Sequence, residues 1–232
     1  MTNPAPPGLF ITGTDTDVGK TYVAAMIARQ LAAEGLRVGV YKPTASGCTE
    51  ENGVLVSEDA RVLWEAAGRP GDLEHVCPQR FRAPVAPNLA AEAEGRTLDG
   101  ELLRSGIEYW RERSDLVIVE GAGGLMCPLG AEIYVADLVY DFNYPLIIVA
   151  RNALGTINHT LQTLITSAAF CEGLPVAGIV LNHTSAEIDP SVATNRRELE
   201  LRANPPVLAE VGWQAERFDT RVDWQAIARK GE

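Results

Sequence analysis

The chain alternates short, continuous apolar runs with longer stretches in which apolar residues recur every three to four positions. Residues 9–11, 116–119, 146–150 and 176–181 carry no charged residue, and residues 36–41 form a fifth, looser run. Runs of this length without polar alternation predict strands buried on both faces, as in a parallel sheet covered by helices. After the first run, Val23, Ile27 and Leu31 share one helical face, and Glu34-Gly35 ends it where glycine can turn left-handed. Helices are also expected from Ser57 to Ala67, in a short Ala-rich piece after Pro87, and over residues 98–112, 156–170 and 190–202, with a short one inside 216–232. Residues 205–208 predict a last strand. Residues 43–56 show no periodicity and read as a loop on the ligand side. Residues 78–87 are too proline-broken for a central strand and read as a loop wrapping over the same edge. Strand and helix alternating at this pitch predict one domain over residues 1–232: α/β, doubly wound, with a mostly parallel sheet and helices on both faces.

In such a sheet, ligands bind beyond the carboxyl ends of the strands. The first strand ends in Gly13-Thr14-Asp15-Thr16-Asp17-Val18-Gly19-Lys20-Thr21. A strand, a glycine-bearing turn and a helix start bring backbone N–H groups and the positive end of a helix dipole to one point, where an anion is favoured. Lys20 then reaches the outer phosphates and the Thr21 hydroxyl ligates magnesium, the arrangement of the P-loop NTPase type. Five residues separate Gly13 from Gly19, one more than in the common spelling, so the loop is longer.

The other strand ends add candidates. Lys42 is a second cation for a transferring phosphoryl group or an anionic substrate, or a solvated lysine at a strand exit. Glu120 stands where P-loop enzymes place an acidic metal partner. With Thr21 and one more carboxylate it makes a hard oxygen site, and Asp59 is either that carboxylate or a helix cap, a role Ser57 could also fill. Asn182 reads a nucleobase or turns the chain. Leu154-Gly155-Thr156 opens a helix whose free N–H groups could hold a carboxylate, as every helix start could. His159 and His183 have no partner at catalytic or ligand spacing, and no serine sits in a nucleophile elbow.

Composition narrows the class. A formal net charge of -11 over 232 residues argues against a general nucleic-acid surface. Cys48, Cys77, Cys127 and Cys171 are too scattered for a zinc site or a disulfide framework. The start is polar and proline-rich, and no stretch reaches the length of a membrane span, so a soluble, cytoplasmic protein is expected.

Taken in order, the loop from Gly13 to Thr21, Tyr41-Lys42-Pro43 with Ser46-Gly47, Val119-Glu120-Gly121-Ala122-Gly123-Gly124, and Leu154-Gly155-Thr156-Ile157-Asn158-His159 resemble the dethiobiotin synthetases of the biotin pathway. The resemblance runs from about residue 9 to residue 216 and includes the longer loop. It implies a homodimer that uses ATP and magnesium to close a ureido ring on 7,8-diaminononanoate with CO2, through a carbamate and a carbamic-phosphoric anhydride.

By residue, the resemblance implies that Lys20 and the amides of Asp17, Val18, Gly19 and Thr21 hold phosphates, with Tyr22 beside them, and that Thr21, Asp59 and Glu120 bind magnesium. Lys42, Lys20 and Thr16 form the catalytic group, and Thr16 and Ser46 contact the carbamate or diamine end. Gly121, Ala122 and Gly123 let backbone approach the reacting group. Leu154, Gly155, Thr156 and Asn158 take the substrate's distal carboxylate across the dimer interface. Asn182 recognises adenine, with His183, Gly212, Trp213 and Gln214 on the base and ribose side. Asp17 departs from a common Glu, Gly212 from a common Pro, and Ala153 from the Lys of some relatives.

Two rivals share the scaffold. Amide-forming ligases of cobyrinate and nucleotide synthesis carry a glutamine-hydrolysing domain, for which this chain has neither the length nor a cysteine motif. Switch ATPases of the partitioning or septum-positioning kind (ParA- or MinD-like) carry a further lysine near the start of the loop, and residues 13–18 contain none.

Overall fold

The computed structural model describes residues 5–187 and 189–231. The first apolar run becomes β1 (Gly8–Gly13), followed beyond the loop by α1 (Lys20–Ala33) and β2 (Val38–Tyr41). Small elements come next: β3 (Thr44–Ala45), β4 (Thr49–Glu51), β5 (Val54–Val56), α2 (Glu58–Ala66), α3 (Leu73–Val76), β6 (Gln79–Arg80), α4 (Pro87–Ala93), α5 (Gly100–Ser105) and α6 (Glu108–Arg111). Longer elements then resume with β7 (Leu116–Gly124), α7 (Val135–Phe142), β8 (Leu146–Arg151), α8 (Thr156–Ala169), β9 (Val176–Asn182), α9 (Val192–Arg202), β10 (Val207–Val211) and α10 (Trp224–Ala228).

Six strands form one parallel sheet in the order β10-β9-β8-β1-β7-β2. Leu9, Phe10 and Ile11, the apolar residues of β7 from Leu116 to Val119, and those of β8 from Leu146 to Ala150 are fully buried, so these runs have no face left for polar residues. Each such side chain contributes about 1.5–3 kcal/mol relative to exposure. After β1 the chain moves to β2, outside β7. After β7 it crosses to β8, on the other side of β1. Connections leaving β1's neighbourhood in opposite directions open a crevice at its carboxyl end, and the doubly wound sheet places the loop there.

Local expectations failed where other elements intervened. The tract 43–56 is not a plain loop. It contains β3 and a hairpin, β4 against β5, turning at Asn52-Gly53 with φ of 51° and 82°. Strand β4 is polar and exposed, and β5, Val54-Leu55-Val56, is too short to show a period, so hydrophobic patterning misses them, although Asn-Gly is a hairpin signal. Within the proline-rich passage, Gln79 and Arg80 form β6 and pair with β3.

The single helix expected over 98–112 is two, α5 and α6. The Tyr41 hydroxyl donates toward the carbonyls of Leu102 and Leu103 at 3.0 and 3.1 Å, the first of which also accepts from Gly106 N–H at 3.0 Å, and the two helices meet at Gly106 and Ile107. A Cβ on Gly106 would meet that hydroxyl at 2.4 Å. Helix α7, absent from the pattern reading, is one short amphipathic stretch. The Tyr134 N–H donates to Asp137 Oδ2 at its start, and Asn143 closes it left-handed at φ 53°. The last strand begins at Val207 and runs to Val211, because Pro205 and Pro206 have no N–H to pair.

Candidate functional site

Gly19 caps α1 in the left-handed region, at φ 90° and ψ 32°. The loop folds tightly over Gly13, where a Cβ would stand 2.6 Å from the Asp15 carbonyl oxygen. It is tied to the sheet by Thr14 N–H donating to the Val149 carbonyl at 2.9 Å. Lys20 is buried, and its ammonium donates to the Asp15 carbonyl at 3.0 Å. Burial pushes its pKa below the ordinary lysine value, against the opposing pull of Glu120.

The end of β2, the middle of β7 and the starts of α1 and α2 meet beside it. Ser57 caps α2, its Oγ accepting from Ala60 N–H at 3.3 Å, so Asp59 is not the cap and is free to face the sheet. Lys42, 3% exposed and fixed by its own N–H to the Val76 carbonyl at 2.7 Å, lies 2.6 Å from Glu120 Oε1 and 2.9 Å from Asp59 Oδ2. Thr21 Oγ1 donates to the same Glu120 Oε1 at 2.8 Å.

Burial pushes the Glu120 carboxyl above the ordinary range, only partly offset by Lys42. Burial also acts upward on Asp59, but the Lys42 charge and hydrogen bond outweigh it and hold that carboxyl below the ordinary range. Lys42 itself would be lowered by burial, yet the two carboxylates raise it above the usual lysine value. Glu120 Oε2 is buried with no hydrogen-bond partner among the described residues. Among those residues no three His, Cys, Asp or Glu side chains gather as a metal cluster. Two carboxylates, a hydroxyl and that unpartnered oxygen nonetheless match the hard oxygen donors that magnesium takes, with several positions left to water and phosphate.

A cavity of about 860 Å³ opens over this centre. Of the residues singled out from sequence, Thr16, Asp17, Gly19, Lys20, Thr21, Tyr22, Lys42, Ser46, Asp59, Glu120, Ala122, Gly123, Asn182, His183, Trp213 and Gln214 line it. Val18 and Gly121 are instead buried, the latter where a Cβ would press on Val135 at 2.8 Å. Gly212 starts the turn that Ala215 N–H closes at 3.1 Å.

Leu154, Gly155, Thr156 and Asn158 stand outside the cavity. Leu154 is 83% exposed, and Thr156 is buried with its hydroxyl unpartnered among the described residues. Thr44, Ala45, Cys127, Thr184 and residues 84–87 also line the cavity; the tracts 43–56 and 78–87 had been placed on this side from sequence, whereas Cys127 and Thr184 had left no signal. A second cavity of about 340 Å³ adjoins through Thr16, Gly123 and Cys127, and reaches His159 and Thr163 on α8.

On the far side, Asn182 Nδ2 donates to the Val18 carbonyl at 2.9 Å, while its Oδ1 is buried without a partner among the described residues. Tyr22 donates its hydroxyl to the Ala215 carbonyl at 2.8 Å. His183 corrects the sequence reading, which found it no partner: its Nε2 lies 2.7 Å from Glu210 Oε1 and 3.2 Å from Asn152 Nδ2. Those partners sit on neighbouring strand ends, far away in sequence, and left no spacing signal.

The phosphate loop, the acidic and basic strand ends and the switch-point crevice define a P-loop nucleotide-binding protein of the doubly wound class. A family model described as an AAA domain matches residues 7–217. The chain is 40% identical over 213 residues to an ATP-dependent dethiobiotin synthetase of Rhodopirellula baltica, covering 87% of this chain and 82% of that protein. It is 39% identical over 201 residues to that of Bacillus subtilis, covering 87% and 85%. The chain belongs to the dethiobiotin synthetase family.

Solved structures are similar in fold alone. A ParA family ATPase from Chlorobium tepidum superposes with a TM-score of 0.56 at 17% identity, over 92% of this chain and 86% of that one. An FtsY from Elizabethkingia anophelis in complex with GDP does so at 0.52 and 14%, and this chain spans 65% of its length.

Proposed function

We infer that this chain closes the ureido ring of dethiobiotin from 7,8-diaminononanoate and CO2, converting ATP to ADP and phosphate. It is an ATP-dependent cyclo-ligase of biotin biosynthesis. One substrate amine attacks CO2 and loses a proton to give a carbamate. A carbamate oxygen then attacks the γ-phosphorus and ADP leaves, giving a carbamic-phosphoric anhydride. The second amine attacks its carbonyl carbon, loses a proton and expels phosphate, and the ring closes.

The observation that carries this reading is the convergence beside the loop of Lys42 on Glu120 and Asp59, at 2.6 and 2.9 Å, and of Thr21 on Glu120, at 2.8 Å. Lys20 and the amides of residues 17–21 hold the phosphates. Lys42, a fixed charge beside them, stabilises the carbamate and the charge growing on the γ-phosphoryl oxygens. Thr16 and Ser46 orient the carbamate end, and Gly123 lets backbone approach it. Asn182 faces the adenine, between Tyr22 and Trp213. Thr21, Asp59 and Glu120 would hold a magnesium ion, which when bound neutralises phosphate charge.

The working unit is a homodimer in which the start of α8 in one subunit binds the distal carboxylate of the substrate held by the other. Its support is the position of Leu154 to Asn158 outside the chain's own cavity, beside an exposed Leu154. Among the described residues no helix is long and apolar enough to cross a membrane, and we place the reaction in the cytoplasm, in one domain.

The direct test is phosphate release from ATP, magnesium and bicarbonate with and without 7,8-diaminononanoate, with product followed by mass. Diamine-dependent phosphate equimolar with dethiobiotin is expected. ATP turnover indifferent to the diamine would overturn the ligase and favour a switch ATPase.

A further inference from the structure

The polar network behind the base side of the cavity has a direction. Asn195, buried on α9, donates its Nδ2 to Asn152 Oδ1 at 2.9 Å, and to the Ser191 hydroxyl and Ala153 carbonyl at 3.1 and 3.3 Å. An amide whose oxygen accepts on one side must present its NH2 on the other. Asn152 Nδ2 therefore donates to Glu210 Oε1, at 2.9 Å. His183 Nε2, 2.7 Å from that same carboxylate oxygen, must carry the proton to bond there, and cannot be an acceptor toward Glu210. In the neutral ring Nδ1 is then an acceptor. Among the described residues it has no hydrogen-bond partner, and His183 lines the cavity. Asn182 Oδ1, the neighbouring acceptor, is likewise unpartnered.

We propose that Glu210, oriented by Asn152 and Asn195, holds His183 in the Nε2–H form, so that Nδ1 joins Asn182 Oδ1 as a second acceptor and selects a nucleobase bearing an exocyclic amino group. The inference rests on the reading of this cavity as the nucleotide site. Adenine offers an amino group at its 6-position where a 6-oxo purine offers an acceptor, so two fixed acceptors favour the first and repel the second. Glu210 and Asn152 are positioning residues, and His183 is the group that meets the base. Backbone bonds complete the frame, with Asn152 N–H to the Asn182 carbonyl at 2.8 Å and His183 N–H to the Val211 carbonyl at 2.9 Å.

The test compares binding of ATP and inosine triphosphate, with magnesium, by calorimetry on the full chain. The wild type should prefer ATP by about tenfold or more. Glu210→Gln removes the charge that pins the proton and should bring the two affinities within roughly threefold, while raising KM for ATP more than it lowers kcat. His183→Leu should lose the same preference, and gives the answer if Glu210→Gln fails to fold. Wild-type discrimination kept in both variants would assign it to Asn182 alone and overturn the proposal. A wild type preferring inosine triphosphate would overturn it too, since Nδ1 would then be a donor. A wild type that binds neither nucleotide would instead sink the nucleotide site itself.

Discussion

A Cβ atom on Gly19 would stand 2.0 Å from Asn182 Nδ2, the same atom that donates to the Val18 carbonyl at 2.9 Å. The end of β9 is thereby packed against the turn of the phosphate loop, and the base side and the phosphate side of the cavity share one joint. Gly19 is also left-handed, at φ 90°. Gly19→Ala should therefore destabilise the chain by about 1–3 kcal/mol and weaken ATP binding. Asn182→Ala opens room for the new methyl, so the double variant should lose less than the sum of the two singles. Denaturant titration of all four proteins checks this, and strict additivity would show that the two residues do not press on each other.

Lys42 is buried between two carboxylates and lines the cavity. Lys42→Gln should lower turnover by roughly a hundredfold or more and leave ATP affinity little changed. It also strands Glu120, 1% exposed, without its cation, a change that costs on the order of 3–5 kcal/mol when a buried pair is broken. Magnesium alone should then raise the variant's melting temperature more than the wild type's without restoring turnover. Turnover near the wild-type value would remove Lys42 from the catalytic group.

The two carboxylates should give opposite pH signatures. Asp59 is held below its ordinary value of 3.8, so the folded state binds its proton less tightly than the unfolded chain does. Its stabilisation is complete above that value and is lost as pH falls through the folded pKa. Glu120 is raised above 4.5, so folded protein loses stability as pH climbs from there to the folded value. Urea titrations between about pH 2.5 and 8 should show the wild-type advantage over Asp59→Asn shrinking in acid, and Glu120→Gln gaining on the wild type as pH rises. Parallel curves would contradict both assignments.

Tyr22 reaches from α1 to the 212–215 turn through a single exposed hydrogen bond to Ala215. Tyr22→Phe should raise KM for ATP by about two- to tenfold, the range of one such bond, and leave KM for the diamine unmoved. Equal shifts in both constants would place the residue elsewhere in the reaction.

Active-site sharing predicts complementation. Lys42→Gln damages the cavity and Gly155→Asp places a negative side chain at the start of α8, so each should be inactive alone. Refolded as an equal mixture, half the dimers would own one intact site of two, giving about a quarter of wild-type activity in an isologous pair. No recovery would mean that each chain completes its own site.

The strands of the sheet and the phosphate loop could be read along the chain because their causes are local. A strand buried on both faces has no room for polar residues, and a phosphate loop needs its glycines, lysine and threonine within one turn. The same locality hid the β4–β5 hairpin, whose three-residue strands are too short to show a period, and left Asp59 open between cap and ligand, since both roles ask for the same residue at the same helix start. Ser57 decides it by taking the cap, which spacing could not reveal.

Sequence alone thus determined which segments form the central six-stranded sheet, where the chain turns around an anion, and which polar residues follow or close its apolar runs. Only the tertiary structure decided what those ends touch. Lys42 bridges Glu120 and Asp59, Tyr41 bonds the Leu102 carbonyl 61 residues on, and His183 is oriented by Asn152 and Glu210 from two neighbouring strands. Such contacts depend on strand order and register, set by how the apolar faces pack together, and two residues distant in sequence carry no mark of the few ångströms that will separate them.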